Sequence, residues 1–180
     1  MALRPIVRFP DNTLRRPTVD VTVFDDELHK LLSDMAETMY AASGAGLAAI
    51  QVGDPRRIFI VEGQVAGGDE HTAPIAFINP KLEWLSEEAE TSDEGCLSFP
   101  GVYVPIKRSL RARVAAQDVT GREFVAEGEA LYARAMQHEN DHLINKLLID
   151  YVGPLKKQMI KRKLERDARA EAEEAEDATD

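Results

Sequence analysis

Gln137-His138-Glu139-Asn140-Asp141-His142-Leu143 places two histidines four residues apart, with a glutamate directly after the first. A helix turns that spacing into a site, because positions i and i+4 lie on one face. Both imidazoles then close on one metal ion, while Glu139, one residue round the helix, leans toward the ion without ligating it. Such geometry belongs to hydrolytic metal sites that keep a carboxylate beside the metal-held water. The flanking residues set the helix orientation. Leu131, Ala135, His138 and His142 form a stripe at i, i+4, i+7 and i+11, which predicts an apolar, inward face carrying the histidines. Buried imidazoles need partners, and a metal ion satisfies both.

Outward from this helix, which the periodicity places at about 129–144 with Asn145 as a left-handed stop, the chain alternates between short strands and two further helices. Upstream, Leu110, Ala112, Val114 and Ala116 alternate with Arg111 and Arg113 as a half-buried strand; a turn at 118–121 leads into a return strand through Phe124. Phe99-Pro100-Gly101 reads as a turn, and the acidic run 87–94 as a solvated face. Residues 57–61 and 75–78 are apolar runs of strand length, after which Leu82 and Trp84 alternate with polar neighbours. Leu28, Leu31, Leu32, Met35 and Met39 predict a helix over 25–43, capped by Asp25 or Asp26 and closed by Gly44. Pro5, Pro10 and Pro17 keep residues 1–24 as loop with short extended pieces. His29 and His71 read as surface residues.

Downstream, Pro154 suits the first position of a last helix, whose apolar edge is Leu155, Met159, Ile160 and Leu164. Its other faces are basic: residues 155–170 carry seven Lys or Arg against Glu165 and Asp167, for +5. Residues 171–180 carry six acids and no base, and are predicted to be a disordered tail. The division is therefore a unit over 1–153, a basic helix over 154–170 and an acidic tail over 171–180. The fold class is α+β, with short antiparallel strands around a central metal-binding helix and the 25–43 helix outside.

Composition bounds the function. A chain of 180 residues is one domain, its net charge of −10 argues against generic nucleic-acid binding, and no apolar run is long enough to span a membrane. The N-terminus lacks the apolar core of a signal peptide, which places the protein in the cytoplasm. One cysteine, Cys96, excludes an internal disulfide, and read alone it is either a small core residue or a thiolate ligand. The small-residue stretch 44–53 is either a tight connection or a loop whose backbone approaches a ligand with Gln51 aimed at it.

These segments are complementary. Two imidazoles and the Cys96 thiolate make three protein ligands and leave one metal position open, the arrangement of catalytic metals. A water there ionises near neutral pH, Glu139 carries its proton, and the Gln51 amide with a backbone N–H beside Cys96 supplies donors for a developing oxyanion.

Gly44-Ala45-Gly46-Leu47-Ala48-Ala49-Ile50-Gln51, Glu94-Gly95-Cys96-Leu97-Ser98 and the histidine stretch together resemble the three signature motifs of the peptide deformylases, in that family's order, across roughly residues 3–169. The resemblance implies hydrolytic removal of the formyl group from formyl-methionyl nascent peptides, with release of formate. It implies Cys96, His138 and His142 as ligands of one divalent metal, Glu139 as acid and base, and Gln51 with the Leu97 N–H at the oxyanion. Gly46, Glu94 and Gly95 would line the site where an extended peptide adds a strand, and Leu131 and Ala135 a pocket for the methionine side chain. Ligand chemistry alone points to zinc, whereas the resemblance implies ferrous iron in the cell, replaceable by nickel, cobalt or zinc. It further implies a monomer, no membrane partner, and a C-terminal basic helix that docks on the ribosome. One departure is Asn145, where the family usually has glycine; asparagine tolerates the same left-handed backbone. Two rivals are a zinc endopeptidase, whose third ligand would lie downstream of the helix, and a non-catalytic relative, which would be expected to lack Glu139 or Gln51.

Overall fold

The computed structural model describes residues 2–178. Seven strands, β1 (Gly46–Ala48), β2 (Ile58–Val61), β3 (Ile75–Leu85), β4 (Ala89–Cys96), β5 (Phe99–Ser109), β6 (Arg111–Gln117) and β7 (Glu123–Glu129), accompany three helices among these residues, α1 (Asp26–Ala41), α2 (Ala130–Leu143) and α3 (Pro154–Asp177). Five strands form one antiparallel sheet in the order β1-β2-β3-β6-β7, and β4 with β5 form a separate hairpin. The class is α+β, as the pattern predicts.

The β1–β2 part of the sheet is covered on both faces, and β2 shows how the sequence encodes this. Its four residues Ile-Phe-Ile-Val are all buried, so the run is apolar without alternation. Phe59 and Val61 face α2 with Phe77, Val114, Ala133 and Met136; Ile58 and Ile60 face α1 with Leu28, Leu31, Met35 and Met39. Phe59 stacks on Phe77 at 4.7 Å between centroids. Each such side chain contributes roughly 1.5–3 kcal/mol by leaving water. On β6, Ala112, Val114 and Ala116 face α2 while Arg111 and Arg113 face solvent, which is the period-2 pattern. A third cluster joins β5 through Phe99, Val104 and Ile106 to Leu147, Leu148 and Ile149 and to Ile160 and Leu164 of α3. Helix α2 thus runs between the sheet and the hairpin, carrying the histidines between the two.

Helix ends follow local chemistry. The Asp25 carboxylate accepts the Leu28 N–H at 3.0 Å, Pro154 is the first residue of α3, and Asn145 takes the left-handed stop after α2 with φ 59°. Three expectations are corrected. The left-handed residue after α1 is Ser43, with φ 54°, and Gly44 serves instead for close approach, since a Cβ there would lie 2.8 Å from Leu97 Cδ1. Phe99-Pro100-Gly101 is not a turn but the start of β5, because Cys96 pairs with Phe99 and the reversal is made by Leu97 and Ser98. Proline is tolerated there because β5 pairs on one side only. The tail is not disordered from 171: α3 continues to Asp177, since its alternating alanines and glutamates are strong helix formers. Residues 179 and 180 of that tail lie outside the described residues. No helix among the described residues is long and apolar enough to cross a membrane.

Candidate metal centre and substrate cleft

Cys96 ends β4, and His138 and His142 lie one turn apart on α2, so the packing of the hairpin against the helix decides whether they meet. They do: one ligand atom from each lies within 4.8 Å of the others, and Cys96 Sγ is 3.4 Å from His142 Nε2. The His138 Nδ1–H donates to Glu94 Oε1 at 2.8 Å, which leaves Nε2 as the ligating nitrogen. Burial holds the His142 pKa well below its ordinary value, which keeps the ring neutral and able to ligate. At His138 burial works in the same direction, but the Cys96 sulfur and the Glu94 carboxylate beside it push the pKa well up. A thiol with two imidazoles is the donor set of a catalytic divalent metal.

Glu139 sits one residue along the helix, wholly buried, and its Oε2 has no hydrogen-bond partner among the described residues. Burial pushes its pKa up to about 7; the charge on His138 works against this and that on Glu94 adds to it. Space for the carboxylate comes from β1: a Cβ on Gly46 would lie 2.7 Å from Glu139 Oε1. Gln51 approaches from the short 3-10 turn after β1 and is buried. Its Oε1 accepts the Ala48 N–H at 3.0 Å, which turns Nε2 toward Ser98 Oγ at 3.0 Å and Cys96 Sγ at 3.5 Å. Its donor therefore faces the metal group.

Cys96, His138, Glu139 and Gln51 line one cleft of about 610 Å³, together with Gly46, Gly95, Leu97, Leu131, Ala135 and the rim residues Arg8 and Tyr103. The helical stripe is only partly inward: Ala135 and His142 are buried, whereas Leu131 is 57% exposed at the rim, on the cleft side of a first turn whose Tyr132 and Ala133 pack on the sheet. Glu94 also lines the cleft, but its carboxylate is turned into the protein. It accepts from Arg108 Nε and Nη2 at 2.8 and 2.9 Å, from Arg134 Nη1 at 2.7 Å and from His138 Nδ1. Those four bonds fill its lone-pair positions. Burial raises its pKa, but Arg108 and His138 outweigh this and hold it down to about 2.

Sequence reasoning missed the network behind Glu94. Arg108 Nη1 also donates to Asp141 Oδ2 at 2.8 Å and Tyr151 Oη at 2.9 Å, and Tyr151 Oη donates to Asp141. Arg134 carried a signal, since it lies four residues before His138 on the same helix face; Arg108 and Tyr151 carried none.

Residues 3–158 match the model of the polypeptide deformylase family. A peptide deformylase of Saccharophagus degradans is 44% identical over 173 residues, covering 96% of this chain and 98% of that protein. Among solved structures, a peptide deformylase from Legionella pneumophila has a TM-score of 0.87 at 39% identity, covering 95% of this chain and 98% of its own. A peptide deformylase from Ehrlichia chaffeensis in complex with actinonin also scores 0.87, at 35% identity, covering 94% and 99%.

Removing the negative charge behind His138 tests the orientation of that ligand. Glu94→Gln is expected to lower metal affinity about 10- to 100-fold, measured by competition with a chromogenic chelator. Unchanged affinity would show that Glu94 does not tune His138.

Proposed function

The chain belongs to the polypeptide deformylase family, metal-dependent hydrolases acting on peptides, and we propose that Glu139, Gln51 and Leu97 perform the chemistry beside a metal held by Cys96, His138 and His142. The activity of this family is removal of the formyl group from formyl-methionyl nascent peptides. One observation carries the assignment of roles: a buried carboxylate with one oxygen unpartnered among the described residues, with a pKa of about 7, lies beside three convergent ligand atoms at the floor of a cleft.

A divalent ion on these ligands supplies an electrophilic centre that acidifies water and polarises a carbonyl. Glu139 accepts a proton from the water whose oxygen adds to the formyl carbon, and passes it to the nitrogen as the C–N bond breaks. Formate and a free α-amine result. Gln51 Nε2, held by the Ala48 N–H on its other atom, and the Leu97 N–H meet the charge that develops on the formyl oxygen. Gly46, Glu94 and Gly95 border the path of an extended substrate, and Leu131 with Ala135 borders the methionine side chain. The metal in the cell is ferrous iron, with zinc, nickel or cobalt as replacements. Thiolate ligation of iron makes Cys96 the residue lost first to oxidation.

The protein acts as a cytoplasmic monomer. Residues 1–153 are its catalytic unit and the basic stretch 154–170 is a ribosome-docking helix, supported by the exposure of Leu155 and Met159 among its cations. Phosphate contacts would make that binding fall steeply with salt.

Glu139→Gln is expected to retain one metal per chain and to lose nearly all formate release, and Gln51→Ala to lose about 10²–10³ in kcat. Full activity in either would refute its role. Truncation at Pro154 is expected to abolish cosedimentation with ribosomes at low salt; cosedimentation unchanged by truncation would remove the docking role.

A further inference from the structure

We propose that Arg8 forms a carboxylate-recognising position at the mouth of the cleft that favours acidic side chains downstream of the substrate's first residue, and that Glu171 of α3 competes for it. The inference rests on the deformylase reading above and adds a selectivity to it.

Residues 6–9 run extended along the site. The Val7 N–H donates to Gln51 O at 2.7 Å and the Phe9 N–H to Ser98 O at 2.9 Å. Val7 and Phe9 turn inward, where Phe9 stacks on Phe99 at 5.0 Å, so the alternate side chains, Ile6 and Arg8, face the cleft and line it. Two backbone bonds to Gln51 and Ser98 therefore fix the base of Arg8 relative to the reacting centre.

A carboxylate already occupies this guanidinium. Arg8 Nη1 donates to Glu171 Oε2 at 2.8 Å, and both side chains are more than half exposed. The second cation lies on the same helix: Lys163 Nζ would be 3.1 Å from a Cβ at Gly101, which lines the cleft, and it donates to Asp167 Oδ2 at 2.5 Å. Lys163, Asp167 and Glu171 fall at i, i+4 and i+8, on one edge of α3. That edge holds Glu171 against Arg8 at the cleft mouth and Asp167 against Lys163 near Gly101. The intramolecular partner shows which chemistry Arg8 accepts.

Exposed pairs of this kind are weak, so a substrate carboxylate can displace Glu171. The other cationic side chain lining the cleft, Arg134, is committed to Glu94, Ile106 O and Glu90 O. Asp93, on β4, is the exposed acid among the lining residues and repels an acidic substrate that strays toward the hairpin.

The test uses full-length, metal-loaded protein and formyl-methionyl tetrapeptide amides carrying Glu or Gln at the second, third or fourth position, with the Glu/Gln ratio of kcat/KM as the readout. Glu171→Gln is expected to raise that ratio about two- to fivefold at one position, the range an exposed pair supports, through KM with kcat unchanged. Neutral peptides should be turned over as by the wild type. Arg8→Gln is expected to lower the ratio below the wild-type value and to remove the response to Glu171→Gln in the double variant; high salt should flatten all ratios. Ratios that stay the same in wild type, Arg8→Gln and Glu171→Gln at all three positions would overturn the inference while leaving the deformylase reading intact. Absence of turnover of the neutral peptides by the wild type would overturn that reading, and this inference with it.

Discussion

A carboxylate can be buried only where donors meet its lone pairs, and Glu94 meets that condition with Arg108, Arg134 and His138. The consequence is architectural as well as electrostatic. Glu94 and Cys96 lie on the β4–β5 hairpin, whereas Arg134 and His138 lie on α2, so satisfying the buried charge draws the strand end that carries the thiol against the helix that carries the imidazoles. Arg108 extends the tie through Asp141 to Tyr151, which anchors the turn following α2. Removing one partner from such a network leaves uncompensated charge in the interior, at a cost of about 3–5 kcal/mol.

Around that tie the fold separates support from chemistry. One face of the sheet packs on α2, and β1 and β2 are also covered on the other face by α1, and this fixes the α2 backbone. Glu139 is then the exception in an otherwise satisfied interior: it is buried, raised in pKa and left without a partner on one oxygen. Only a glycine at position 46 leaves room for it. A strand so short and so bare of side chains would be a poor element by propensity alone, and its composition reflects the carboxylate it accommodates.

Much of this was legible in the sequence because it depends on local period. The i, i+4 histidines, the alternation at 111–116 and the Asp25 cap survive into the structure nearly unchanged, whereas Leu110, read as the first inward residue of that strand, lies exposed at the bend before it. What was not legible depends on partners distant in the chain. Glu94 reads as the end of an acidic, solvated run, and its neighbours 90–93 are indeed exposed; only the approach of Arg108 and Arg134 buries it. Leu131 continues the apolar stripe on paper yet stands exposed at the cleft rim, since periodicity gives the direction of a side chain and not the extent of its cover. Reading 171 onward as disordered weighed charge above propensity, and the alanines and glutamates decided otherwise.

Formate release from formyl-Met-Ala-Ser by anaerobically purified protein, with bound metal quantified on the same sample, tests most directly whether the Cys96–His138–His142 group holds the metal on which the reaction depends. Release should fall in proportion to metal removed by a chelator and return when one divalent ion per chain is restored. Release that persists at full rate after complete metal removal would contradict that dependence.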